Sequence, residues 1–213
     1  MELRGLRSEG SEPERSGDRQ EAVHVFVFDG FADWEPAHAL AELRRSGKRI
    51  VRTVGPTREA VVSMGGLRVL PDIELRDVRP HEVELLVLPG GEAWETGSYP
   101  QPALESLLGT LVAAGTPVAA ICGATLALAR ARVLDDRRHT SNGRSYLSAR
   151  AVGYAGTDLY VEAPAFCDRH VITANGLASV EFARAIFAEL GAFSEPYQAL
   201  WFEMFKHGKL PTE

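Results

Sequence analysis

Pro117-Val118-Ala119-Ala120-Ile121-Cys122-Gly123-Ala124-Thr125-Leu126-Ala127-Leu128-Ala129-Arg130 is the stretch on which the fold turns. Its first part is short, apolar and opened by a proline, which reads as a buried strand. Its second part is rich in Ala and Leu, which reads as a helix. Cys122 stands at the joint. A sulfur there lies beside the unpaired amides of the first helical turn, whose partial positive charge favours a thiolate. The small residues Gly123 and Ala124 let the turn close tightly, as glycines do in a nucleophile elbow built on serine. A buried structural cysteine would satisfy the same local pattern, since free cysteine is among the most buried residue types.

Strands and helices alternate on either side of this joint. Val23 to Phe28 reads as a strand, and Trp34 to Ser46 as a helix that tolerates Pro36 in its first turn. Ile50 to Val54 is the next strand. Val61 to Leu75 carries two short strands around Met64-Gly65-Gly66, a hairpin signal. A strand runs to Leu88, followed by a helix from about Ala103 to Ala114. After the elbow, Leu159 to Ala163 and His170 to Ala174 read as strands and Ser179 to Leu190 as an amphipathic helix. Such alternation predicts an α/β fold, a mostly parallel sheet with helices on both faces. Ligands then bind beyond the carboxyl ends of the strands. Cys122, Gly90-Gly91 and the loop from Gly30 to Glu35 all fall at those ends.

Composition narrows the class. The chain has 213 residues, 45% hydrophobic and 24% charged, which suits one well-packed soluble domain. A net charge of -6 argues against a nucleic-acid surface. No apolar run approaches the roughly 20 residues that span a bilayer, so no membrane partner is expected. The first residues lack the apolar core of a secretory signal. Two cysteines, Cys122 and Cys167, give neither a disulfide framework nor a metal-ligand spacing. A cytoplasmic protein with reduced thiols, without metal or other cofactor, is the simplest reading. Residues 1–21, rich in Glu, Arg, Ser and Gly, read as a flexible leader. Residues 22–192 form the domain, and 193–213 a helical extension of it. In that extension Tyr197, Leu200, Trp201, Met204 and Phe205 make an apolar stripe. The stripe suits a helix docked on its own subunit, a dimer contact or a wall of the site.

Three segments resemble the ThiJ/PfpI superfamily, which shares the fold of class I glutamine amidotransferase domains: Ala119-Ala120-Ile121-Cys122-Gly123-Ala124, Leu88-Pro89-Gly90-Gly91 and Ile172-Thr173-Ala174-Asn175-Gly176. The resemblance runs from about Val23 to Leu190. It implies a flavodoxin-like three-layer sandwich, a homodimer, and Cys122 as nucleophile at a strained elbow. It implies that Glu35 contacts the sulfur. An ionised carboxylate beside a thiolate is repulsive, so Glu35 would be protonated and could donate to sulfur or shuttle a proton. A solvated glutamate in a helix's first turn is the plainer alternative. His139, after the elbow helix, would act as acid/base or orient the substrate. The amides of Gly90, Gly91 and Gly123 would form an oxyanion hole. Trp94, Asn142 and Trp201 are weaker candidates for pocket walls.

The departures from the superfamily matter too. PfpI proteases place histidine directly after the cysteine, where this chain has Gly123. Glutamine amidotransferases use a late His-x-Glu pair, whereas this chain reads Asn175-Gly176-Leu177-Ala178-Ser179-Val180-Glu181. Isocyanide hydratases tend to carry Asp in place of Glu35 and Thr in place of Gly123. The length leaves no room for a following helix-turn-helix domain, which sets aside the transcription-factor branch. The resemblance therefore implies a cofactor-independent cysteine enzyme acting on a small reactive electrophile. Its most concrete form is glyoxalase III-type conversion of a 2-oxoaldehyde to a 2-hydroxy acid. A redox- or stress-responsive protein that oxidises Cys122 without turnover is the alternative, as is another small-molecule hydratase or lyase.

Overall fold

The computed structural model describes residues 21–210, so the expected leader lies outside the described residues but for Glu21. In chain order the elements are β1 (Ala22–Phe26), α1 (Trp34–Arg45), β2 (Val51–Gly55), β3 (Val61–Val62), β4 (Arg68–Val69), β5 (Ile73–Glu74) and β6 (Val83–Leu88). Then come α2 (Ala93–Thr96), α3 (Gln101–Ala113), β7 (Val118–Ile121), α4 (Thr125–Arg130), α5 (Arg144–Arg150), β8 (Ala165–Asp168), β9 (Val171–Ala174), α6 (Ser179–Glu189) and α7 (Glu195–His207). Seven strands form one sheet in the order β5-β2-β1-β6-β7-β9-β8. All neighbours are parallel except the edge strand β8, which runs antiparallel to β9. This is the flavodoxin-like α/β sandwich.

The central strands are apolar throughout because helices cover both faces. β1 and β7 are fully buried, as are Leu85, Leu86, Val87 and Leu88 of β6. Burying one such leucine contributes about 2 kcal/mol. Helices α1 and α6 pack against each other on one face, and α6 carries α7. Helices α3 and α4 pack on β7 from the other. α7 docks on its own chain. Trp201 is buried, its ring edge-on to Phe187 and to His38 of α1. The Tyr197 hydroxyl donates to the carboxylate of Glu42 on α1 at 2.5 Å.

The hairpin expected around Met64-Gly65-Gly66 is present as β3 and β4, paired antiparallel. One expectation fails. Leu159 to Ala163 is no strand but a 3₁₀ turn ending at Leu159, then one parallel bridge between Tyr160 and His139. Pro164 ends the pairing there, because it has no N–H to give. The strand lies further on, at β8. It turns into β9 through Arg169 and His170, both with positive φ (46° and 65°), the two-residue turn that matches sheet twist.

Candidate active site

Register brings the site together. Val87 of β6 pairs with Ala119 of β7, and Ile121 with Ala174 of β9. The segments leaving these strands, at Gly90, Cys122 and Gly176, therefore emerge side by side. Strand order reverses at β1, with β2 on one side and β6 on the other, so the loop after β1 opens onto the same crevice. That loop is pinned from three sides. Asp29 accepts from the Val62 amide, Asp33 accepts from the Ser63 hydroxyl, and the Ala32 amide donates to the Gly90 carbonyl. Glu35, second residue of α1, is thereby carried into the crevice, where it is 2% exposed.

Cys122 has φ 58°, the left-handed region that a residue with a Cβ adopts only under constraint. This bend turns the chain from β7 into a short 3₁₀ turn and then α4, and leaves the sulfur facing the crevice. Close approach fixes the neighbours. A Cβ on Gly90 would stand 2.7 Å from Glu35 Oε2 and 2.8 Å from Cys122 Cβ. A Cβ on Gly176 would stand 2.8 Å from the sulfur itself. Gly123 packs against Trp94, which is fully buried and donates its indole N–H to the Pro89 carbonyl.

The sulfur has three polar neighbours. Asn142 donates its amide N–H to Sγ at 3.3 Å, and its oxygen accepts from the Gly176 amide at 3.0 Å. The Gly123 amide and the Glu35 carboxyl also lie beside the sulfur, the amide lowering its pKa and the carboxylate raising it. Glu35 Oε2 also accepts from the Gly90 amide at 2.5 Å. Burial lifts the Glu35 carboxyl from 4.5 to about 7, against the pull of the Gly90 amide. Burial also raises the Cys122 thiol, and a charged Glu35 raises it further, while Asn142 and the Gly123 amide lower it. This reverses the depressed thiol expected from the elbow. The helix behind Cys122 has only six residues, and a carboxyl group shares its pocket. A proton on Glu35 removes the repulsion, so the pair favours one shared proton over two charges.

Of the residues singled out in the sequence, Cys122, Glu35, Gly90 and Gly123 converge. Gly90 departs in role, since its amide is engaged by Glu35 and does not face a reacting oxygen. Gly91 packs against the Phe28 ring and the Gly30 carbonyl. His139 is not part of the cluster. It is fully buried, its Nδ1–H donates to the Arg137 carbonyl at 2.8 Å, and Nε2 accepts from the Tyr154 hydroxyl at 2.5 Å. Burial lowers its pKa, so it is a neutral structural imidazole. Asn142, three residues later, occupies the place beside the sulfur. The sequence reading marks Asn142 only as a pocket wall and assigns Gly176 no role.

A cavity of about 720 Å³ opens over the sulfur. Trp34, Glu35, Cys122, Asn142, Tyr160 and Glu162 are among its walls. Neither Trp94 nor Trp201 reaches it. Cys167 lies elsewhere, on β8, where burial and Glu189 push its thiol up to about 12.

The model of the DJ-1/PfpI family matches residues 21–189. The chain belongs to the DJ-1/PfpI family. It is similar to the uncharacterized protease YoaZ of Bacillus subtilis, 36% identical over 88% of this chain and 91% of that one. It is similar to the crystal structure of a ThiJ/PfpI family protein from Bacillus anthracis, with 36% identity, TM-score 0.82, and coverage of 91% and 94% of the two chains. Over 56% of this chain and 70% of the other, it is 33% identical to the deglycase PYRAB04690 of Pyrococcus abyssi.

Proposed function

We propose that this DJ-1/PfpI protein is a cysteine enzyme that converts a 2-oxoaldehyde to a 2-hydroxy acid without a cofactor. The observation that carries the reading is the pairing of Cys122 with a buried carboxyl of pKa about 7, both on one cavity. Such a group can serve as acid and base at neutral pH. Support also comes from a relative named as a deglycase.

The steps follow from the groups present. The Cys122 sulfur adds to the aldehyde carbon, and its proton passes through Glu35 to the new alkoxide, giving a hemithioacetal. Asn142 and the Gly123 amide, freed from a sulfur now bonded to carbon, are positioned to stabilise the oxygen. Glu35 as carboxylate takes the proton from that carbon and returns one to the adjacent carbon. The hemithioacetal's hydroxyl proton passes to the carbonyl oxygen there, which becomes the hydroxyl, and the sulfur is left in a thioester. Water cleaves the thioester, releasing the acid and restoring the thiol. With His139 remote, Glu35 carries both proton transfers.

A second reading has one observation in its favour. Asn142 and a protonated Glu35 place two donors beside the sulfur, and either can hold an oxygen added by oxidation. Turnover separates the two. Methylglyoxal should be converted to lactate by the wild type and not by Cys122→Ser. Absence of turnover in the wild type, with Cys122 reduced, would reject the enzyme reading for that substrate class.

A further inference from the structure

The cavity is larger than a three-carbon oxoaldehyde requires. At about 720 Å³ it falls among the sites of roughly 300–1,000 Å³ that hold drug-sized ligands. Among the described residues its lining contains two carboxyl side chains, Glu35 and Glu162, and no lysine, arginine or histidine. Glu35 is buried beside the sulfur, whereas Glu162 is exposed. Among the described residues nothing hydrogen-bonds or ion-pairs with the Glu162 carboxylate.

The backbone that carries Glu162 is fixed on both sides. The Val161 amide donates to the His139 carbonyl at 2.8 Å, and the Ala163 carbonyl accepts from the Thr140 hydroxyl at 2.8 Å. Trp34, another wall, is 52% exposed and offers an aromatic face. Arg144 is not among the lining residues. Its guanidinium stacks 5.4 Å from the Tyr160 ring centre and donates to the carbonyls of Thr157 and Tyr160.

We propose that Glu162 and Trp34 make the cavity mouth selective for cations, so that the electrophile taken by Cys122 is carried on a protonated amine or a guanidinium. An ammonium or guanidinium would meet the carboxylate of Glu162 and the face of Trp34 while its carbonyl reaches the sulfur. An anionic electrophile would meet the Glu162 carboxylate and, once it has ionised, Glu35. This inference rests on Cys122 being the reacting thiol of the site, but its test does not need turnover.

The test is the rate at which Cys122 displaces iodide from iodoacetate and from iodoacetamide, and bromide from 2-bromoethylamine. Rates are read on the Cys122 peptide by mass spectrometry at low salt in a Cys167→Ser background. Each is divided by the rate for a small free thiol. In water, a unit charge about 8 Å from a reacting group changes such a rate roughly two- to threefold. The corrected order should be 2-bromoethylamine, then iodoacetamide, then iodoacetate. Glu162→Gln should raise the iodoacetate-to-iodoacetamide ratio about two- to threefold, Glu162→Lys should raise it further, and the distant exposed Glu59→Gln should leave it as in the wild type. A wild-type ratio equal to that of the free thiol, or one unmoved by Glu162→Gln, overturns the proposal. Failure of methylglyoxal turnover, with the ratio behaving as stated, would instead reject the reaction and retain the charge selection.

Discussion

Asn142 holds Cys122 and Gly176 together: its amide nitrogen donates to the sulfur at 3.3 Å, and its oxygen takes the Gly176 amide at 3.0 Å. The second bond fixes which end of the amide faces the sulfur, so a donor is always presented to the thiolate. A donor to a charged group contributes about 1.5–3 kcal/mol when sheltered, and less at an exposed residue such as Asn142. Asn142→Ala should therefore raise the midpoint of Cys122 alkylation against pH by about one unit. An unmoved midpoint would mean that the contact does not act on the thiolate.

Gly176→Ala tests the space rather than the charge. The added methyl would lie 2.8 Å from the sulfur, and the backbone there needs no left-handed conformation. The sulfur must move, so iodoacetamide should label Cys122 at least about tenfold more slowly, with the melting temperature changed by only a few degrees. Labelling at the wild-type rate would show that the segment after β9 yields freely.

His139→Leu separates the two histories of that residue. Its imidazole satisfies the Arg137 carbonyl and the Tyr154 hydroxyl in the interior. Leaving both without a partner should destabilise the protein by about 2–4 kcal/mol. The rate at which the remaining folded protein is alkylated at Cys122 should match the wild type. A loss of thiol reactivity without loss of stability would return His139 to the site.

The sheet was legible because its signals are local. Apolar runs at β1, β6 and β7, each followed by small residues, can be read one at a time, and parallel topology then gathers their ends. Glu35 and Cys122 were legible for the same reason, since each sits where a strand or its loop gives way to a helix. The hairpin from β8 to β9 was not legible, because Arg169 and His170 occupy left-handed positions that normally announce themselves as Asn-Gly. The misplacement of His139 has a different cause. An imidazole attracts a catalytic role by its chemistry, but the bridge between His139 and Tyr160 turns its ring inward. Asn142, with no titrating group to mark it, takes the outward place. The sign of the Cys122 shift was missed because local sequence shows the helix terminus and hides the burial.

Stability should carry the mark of Glu35. Its folded pKa of about 7 lies above the ordinary 4.5, so the folded state holds a proton that the unfolded chain has released. Stability then falls as pH rises between those values and stays lowered above about 7. The full difference is on the order of 3 kcal/mol. Glu35→Gln keeps an acceptor for the Gly90 amide and removes the charge. It should melt higher than the wild type at about pH 8, with the gain shrinking toward about pH 5. A gain that is the same at both values would mean that the carboxyl does not titrate in this range.

The same substitution should act on chemistry in the opposite sense. Glu35 is the titratable group in contact with the sulfur, and both proton transfers of the proposed reaction pass through it. Glutamine preserves its shape and its bond with Gly90 but transfers no proton. Turnover of methylglyoxal should drop by roughly 100-fold or more, in the range of general acid–base effects. Alkylation of Cys122 should persist in the same variant. With the carboxylate gone, the repulsion that raises the thiol is gone too, so the alkylation midpoint should move to lower pH. A protein more stable, more readily alkylated and yet far less active would identify Glu35 as the proton carrier. Undiminished turnover, with Cys122→Ser inactive, would transfer that task to the cavity's other carboxylate, Glu162.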